Sequence, residues 1–262
     1  MTKAQLSLSV IHNNRLSDAY SHLVLQAYSV EPEVVDLFRS ITPGQFVEVR
    51  VDGSKNTFLR RPISVNYVDE IQFQLHLLIR RAGEGTSALC DLRIGQLLNV
   101  IMPLGIGFTV TNDIKHPLLI GGGVGVAPLL YLGKKLREIG VTPTFLLAAK
   151  TSDDILMHDC FSKFGKVLLS TDDGSAGHKG LVTENPALES DQWDMFYCCG
   201  PMPMMRSIAK IASRMRIECE VSLENTMACG LGACLCCVED TIDGNVCVCK
   251  DGPVFNISKL KW

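Results

Sequence analysis

The sequence predicts a multidomain fold in three parts: an antiparallel β-barrel over 1–108, an α/β parallel-sheet domain over 109–217 and a small cysteine-rich C-terminal domain over 218–262. Three observations predict it. Up to Phe108, short runs of alternating apolar residues are broken by turns. From Thr109, buried-looking strands alternate with helical spacing, the pattern of a parallel sheet with crossovers. From Glu218, apolar residues are too sparse for a separate core, while six of the eleven cysteines fall between Cys229 and Cys249.

In the first part, "GQFVEVRV", "IQFQLHLLIR" and "QLLNVIM" read as strands, with "TPG", "VDGSKN" and "MPLG" as punctuation. Strands at such spacing make an antiparallel barrel or sandwich. Thr86 to Leu92 reads as one short helix. In the second part, "HPLLIGGG" is an apolar strand running into glycines. "VAPLLYLGKKLREIG" has apolar residues at helical spacing, basic residues in its last turns and Gly140 as C-cap. "TPTFLLAAK", "GKVLLSTDDG" and "WDMFYCCGP" read as three further buried strands. There is no internal repeat and no low-complexity linker.

A chain of 262 residues can bury a core large enough to need no covalent staple. Its 47 % hydrophobic and 20 % charged residues are those of an ordinary globular protein. The net charge of -3 supplies no general attraction to nucleic acid or anionic membrane. No apolar run reaches the ~18 to 20 residues of a membrane span. The start "MTKAQLSLSVIHNNR" lacks the pattern of a signal peptide, so a reducing compartment is expected. Dense cysteines there are metal ligands or catalysts rather than disulfides, and an odd number cannot pair completely.

"LLIGGGVGVAPLL" places Gly121, Gly122, Gly123 and Gly125 between a strand and a helix, with Pro128 where a dinucleotide motif has a later glycine. Glycine lets backbone approach a phosphate, and a helix start offers free N–H groups. The alternative is a tight turn in a doubly wound sheet. In "CCGPMPM", Cys199, Gly200 and Pro201 form a second turn at the end of a strand, where open parallel sheets bind ligands. Cys199 suits packing against a planar ring or a structural thiol. Asp172 and Asp173 in "STDDGS" suit ribose hydroxyls or an ordinary aspartate turn.

"FLRRPISVNY" sets Arg60 and Arg61 among apolar residues. An arginine fork suits pyrophosphate oxygens, and Ser64 suits the edge of a flavin ring. In "LLIRRAGEGTSAL", Gly83, Gly85 and Thr86 stand at a helix start, a second anion site. Taken singly, these are also a basic edge strand and a capped helix.

Cys229, Cys234 and Cys237 make C-x4-C-x2-C, the opening spacing of plant-type [2Fe–2S] sites. Gly230 and Gly232 let the intervening backbone curl and turn N–H groups toward sulfur. The fourth ligand is Cys247 or Cys249, two apart on an expected strand and therefore on one face. Zinc is the alternative, though a site of four cysteines usually uses two C-x2-C knuckles and only one is clear. A hydride donor gives two electrons and such a cluster takes one, so a flavin between them is required. No catalytic triad or general base is found; His76, His116 and His178 read as surface or structural groups.

The succession "RPIS", "GEGT", "PLGIGF", "GGGVGVAP", "CGPMPM" resembles the ferredoxin-reductase superfamily. The tail "SLENTMACGLGACLCCV…CKDGPVF" resembles, within it, the iron–sulfur electron-transfer subunits of NAD-dependent two-subunit bacterial dihydroorotate dehydrogenases. This resemblance implies an FAD-binding barrel with FAD contacts at Arg61, Pro62, Ile63, Ser64, Leu78, Ile79 and Arg80, and its pyrophosphate at Gly85 and Thr86. Ile63 stands where the superfamily often has tyrosine. NADH is implied at Gly121 to Pro128 and the "CGPMPM" turn. The resemblance selects Cys249 as fourth cluster ligand, beside Cys229, Cys234 and Cys237. It also implies a cytoplasmic heterotetramer, two of each subunit, with an FMN-containing catalytic subunit that oxidises dihydroorotate in pyrimidine biosynthesis. A reductase subunit serving ferredoxin, sulfide or sulfite chemistry is the nearest rival, and a zinc-stabilised interaction module the more distant one.

Overall fold

The structure, a computed structural model, describes residues 3–28 and 31–262. Met1, Thr2, Ser29 and Val30, inside the span expected for the first domain, lie outside them. The chain divides into two compact units: Met1–Gly107 with Glu224–Glu239 and Asn245–Pro253, and Phe108–Leu223 with Asp240–Gly244 and Val254–Trp262.

In the first unit, β1 (Ala4–Arg15), β2 (Tyr20–Gln26), β3 (Phe46–Val49), β4 (Arg61–Asp69), β5 (Gln74–Arg80) and β6 (Leu97–Leu104) close a barrel in the order β1-β2-β5-β4-β3-β6. Every pairing is antiparallel. Register puts the buried residues Leu23 opposite Leu77 and Leu25 opposite Leu75, so aliphatic pairs stack on one face of the wall. Two short helices accompany the strands. α1 (Pro32–Arg39) starts on a proline and buries Leu37 and Phe38. α2 (Glu84–Cys90) follows β5 and buries Leu89 and Cys90.

The second unit is a sheet in the order β10-β9-β8-β7-β11-β12-β15. It contains β7 (Pro117–Gly122), β8 (Thr144–Ala149), β9 (Lys166–Thr171), β10 (His178–Lys179), β11 (Met195–Cys199) and β12 (Glu218–Ser222), all parallel. The crossovers carry α3 (Ala127–Glu138), α4 (His158–Ser162) and α5 (Met202–Met215). α3 ends as its basic last turn and the left-handed Gly140 predict. The main chain enters this unit through a clamp. Thr109 donates from its N–H and hydroxyl to the buried Glu220 carboxylate, and its carbonyl accepts the Tyr197 hydroxyl at 2.6 Å.

The cysteine-rich tail divides its contacts between the two units. Glu218–Ser222, expected to begin it, is β12, and β15 (Val254–Asn256) pairs antiparallel with β12. The tail's apolar residues Cys219, Val221, Val254 and Phe255 are buried in this sheet, which is why no separate core was visible in composition. Between them run β13 (Val238–Thr241) and β14 (Gly244–Cys247), which pair as a hairpin, and the single turn α6 (Val248–Asp251).

Candidate cofactor and metal sites

The C-x4-C-x2-C segment folds as irregular backbone lying against the barrel. Gly230 is buried at φ 65°, a conformation that strongly favours glycine. The curl turns N–H groups onto sulfur: Leu231 donates to Cys229 Sγ at 3.4 Å, Gly232 to Cys249 Sγ at 3.1 Å, and Cys249 to Cys237 Sγ at 3.4 Å. Among the described residues no three His, Cys, Asp or Glu side chains gather as a single-ion site. Four cysteines, three of them with backbone N–H groups on sulfur, supply the thiolates that a cluster of two irons needs, two on each metal.

The thiols differ in acidity. The Leu231 N–H, with help from the segment's other donors, brings the Cys229 thiol down to about 6. Burial, and then the shared contact with Cys237, pushes Cys249 up. Metal binding requires thiolates, so Cys229 offers the ready anion and Cys249 the one that metal must deprotonate.

One expectation is corrected. Cys247 and Cys249 do not share a strand face. Cys247 closes β14, while Cys249 lies within α6, whose start is fixed by the Cys247 N–H donating to Asp251 Oδ2 at 2.9 Å. The helical turn buries Cys249 and leaves Cys247 half-buried and Cys236 exposed.

Barrel residues meet this segment at β3. Phe46 to Val49 are all buried, an unusual pattern for a strand that includes a glutamate. Glu48 is fully buried and neither of its carboxyl oxygens is hydrogen-bonded among the described residues. Burial pushes its acid up to about 7, with Arg60 pulling it down and Cys229 pushing it further up. Sequence reading missed this residue; a glutamate inside the apolar run "FVEV" was the available signal.

The expected flavin residues fall on neighbouring elements of the same unit. Arg61, Pro62, Ile63 and Ser64 open β4 and are half-buried. Leu78 and Ile79 are buried at the end of β5, and Arg80 beside them is exposed. The two arginines of "LRRP" separate. Arg60 is committed to the barrel rim, donating to the carbonyls of Glu48 and Asn99 at 3.2 Å each. Arg61 folds back onto the carbonyls of Leu59 and Arg60 and lies on Gly85, where an added Cβ would stand 2.8 Å from its Nε. Gly85 is thus a place that a side chain would fill. Thr86 is occupied locally: its hydroxyl accepts from the N–H groups of Ala82 and Gly83 at 2.9 and 3.1 Å.

In the second unit the glycine turn and the "CGP" turn meet. β7 and β11 pair Gly121 with Cys199. A Cβ on Gly125 would stand 2.6 Å from both the Cys199 carbonyl oxygen and Gly200 Cα, and one on Gly122 would stand 3.2 Å from Pro201 Cδ. Gly123 begins the short turn that leads into α3, and Pro128 is in the first turn of that helix. Cys199 is buried. Asp172 and Asp173 are not in this cluster. They follow β9, two strands from β7 or about 10 Å along the edge. Asp173 serves its own turn, accepting from the Ser175 N–H and hydroxyl at 2.9 and 2.6 Å.

Comparison with known proteins finds two family domains in this chain. Residues 224–261 match the iron–sulfur cluster binding domain of dihydroorotate dehydrogenase B, and residues 119–210 match the oxidoreductase NAD-binding domain. The electron transfer subunit of dihydroorotate dehydrogenase B (NAD(+)) from Shouchella clausii is 36 % identical over 266 residues, covering 99 % of each chain. The subunit of the same name from Lysinibacillus sphaericus is 40 % identical over 227 residues, covering 84 % of this chain and 87 % of that one. A solved NADH-dependent reduced ferredoxin–NADP oxidoreductase superposes with a TM-score of 0.85 at 27 % identity, covering 97 % of this chain and 90 % of that one. With full-length likeness, an iron–sulfur domain and a nucleotide domain in one chain, this protein belongs to the family of electron-transfer subunits of NAD-dependent dihydroorotate dehydrogenase B.

Proposed function

We propose that this chain draws electrons from NADH and delivers them to an FMN-containing dihydroorotate dehydrogenase subunit, as a cytoplasmic heterotetramer with two of each. The observation that carries the reading is the set of backbone N–H groups turned onto the sulfurs of Cys229, Cys249 and Cys237. When bound, FAD accepts electrons as a pair and passes them on singly, which is how an iron–sulfur cluster takes them. The chain's own residues bind and orient. Arg61 and Gly85 would hold a phosphate of FAD, Ser64 would offer its hydroxyl to the flavin edge, and the buried Leu78 and Ile79 would form apolar wall. The turns at Gly121–Gly125 and Cys199–Pro201 receive the nicotinamide nucleotide. Backbone N–H groups of Leu231, Gly232 and Cys249 direct themselves at ligand sulfur and stabilise its negative charge. No side chain is assigned a proton-transfer role.

Anaerobic titration of the purified chain with NADH, with iron and sulfide analysis and capture of the partner, tests this. NADH should bleach the flavin band and develop the signal of a reduced [2Fe–2S] centre, and the captured subunit should carry FMN. Protein that folds without iron, or holds zinc instead, refutes the reading. The likeness to a ferredoxin–NADP oxidoreductase favours a second reading, a ferredoxin-linked partner. Capture of a ferredoxin in place of an FMN subunit would select it.

A further inference from the structure

Carboxylates are almost never fully buried unless paired, because the lost hydration has to be replaced. Glu48 lacks any such replacement among the described residues. It is 0 % exposed and both carboxyl oxygens are without a hydrogen-bond partner among the described residues. The neighbouring cation does not supply one. Arg60 gives its N–H groups to the Glu48 main-chain carbonyl, to Asn99 and to Gln5. What lies on the carboxyl is the cysteine segment. A Cβ on Gly230 would stand 2.5 Å from Glu48 Cγ and 2.7 Å from Oε1, so the acid touches the main chain one residue beyond Cys229. Cross-strand register puts Glu48 opposite Pro62 and Phe46 opposite Ser64, so Glu48 shares a barrel face with Ser64.

An orphaned acid where the barrel wall meets the ligand loop marks a missing partner. We infer that Glu48 is a positioning residue of the cluster site: it seats the Cys229–Gly230 turn on β3 and donates a hydrogen bond to sulfur of the bound cluster, raising its reduction potential. A carboxylic acid has one O–H to give. Hydrogen bonds to sulfur set the potentials of such clusters, because they stabilise the more negative reduced state. The inference rests on reading the segment as a [2Fe–2S] site.

The test is potentiometry of the whole chain followed by electron paramagnetic resonance, on wild type, Glu48→Gln and Glu48→Met, with the flavin potential measured in the same samples. Glu48→Met keeps bulk and removes the donor. It should make cluster reduction about tenfold less favourable, 59 mV for a one-electron couple, with the flavin potential unmoved. Glu48→Gln keeps a donor and should stay within about threefold of wild type. A rise in cluster potential on either substitution would show a charged Glu48 repelling the cluster, and overturns the inference. So does an unchanged cluster in Glu48→Met, or a shift confined to the flavin. If Glu48→Met assembles no cluster, Glu48→Gln decides: a potential within threefold supports the assignment and a larger shift overturns it. Wild-type protein without iron would instead sink the functional reading beneath it.

Discussion

A methyl group added at Gly85 probes the flavin wall at its tightest point. Gly85 is buried in the first turn of α2, and the new Cβ would lie 2.8 Å from Arg61 Nε and 3.1 Å from Thr57 Cγ2. Restoring a carbon contact of ~3.5 Å moves the guanidinium back by about 0.7 Å. The fold tolerates this. Arg61 is a flexible, half-buried side chain, and alanine gains up to about 1 kcal/mol over glycine in a helix. Stability in urea should therefore change by no more than about 1 kcal/mol in either direction. Affinity should not survive intact. A charge-assisted bond from Arg61 to phosphate is worth ~1.5–3 kcal/mol, which at ~1.4 kcal/mol per decade weakens FAD about ten- to 150-fold. Fluorescence titration of deflavinated protein measures this. Riboflavin, which lacks phosphate, should lose less than threefold. Arg61→Ala should cost as much, and the double substitution Gly85→Ala/Arg61→Ala little more, because both remove one contact. Wild-type FAD affinity in Gly85→Ala, or equal loss of riboflavin, refutes the placement of the phosphate against Arg61.

Cys249→Ser should abolish iron binding while Cys247→Ser retains it, since the Cys249 N–H donates to Cys237 Sγ at 3.4 Å whereas the Cys247 N–H donates to Asp251; iron and sulfide analysis of anaerobic protein decides, and equal loss from both would remove Cys249 from the ligand set. Iron removal should release hydrogen-exchange protection in 224–239 and 245–251 while β12 and β15 keep theirs, since those strands belong to the second unit's sheet. Protection retained throughout would show that metal does not hold the segment. His76 is lowered to about 4 by burial and then by His22, whose Nε2 is 3.1 Å from its Nδ1. Its depressed value adds stability above pH 6.5 that is lost as pH falls through about 4, an effect up to ~3 kcal/mol. His76→Phe should flatten that slope in urea melts, and an unchanged slope would clear the histidine.

Much of this architecture was legible because its signals are local. Alternation in "IQFQLHLLIR" and glycines after "HPLLI" report strands through their immediate neighbours. The cysteine spacing is likewise a local code. What was hidden depends on distant partners. "ECEVS" and "VFN" pair with each other across more than thirty residues, so no window of sequence joins β12 to β15. The turn that separates Cys247 from Cys249 is set by Asp251, a side-chain bond that periodicity does not register. Thr86 and Asp173 are polar residues in loops that satisfy their own turns, and composition does not distinguish that use from ligand binding. Glu48 required knowledge of Gly230, 182 positions later in the chain.

The pairing of β15 with β12 bears on where the message can end. A premature stop after Pro253 would still encode every candidate metal-binding thiol, yet it would strip β15 from one side of β12 and bare a row of unpaired amides beside Cys219 and Val221. Such an open flank is a template for other chains. The final nine residues thus guard solubility rather than chemistry, and shortened products should be found in inclusion bodies although their sulfur complement is whole.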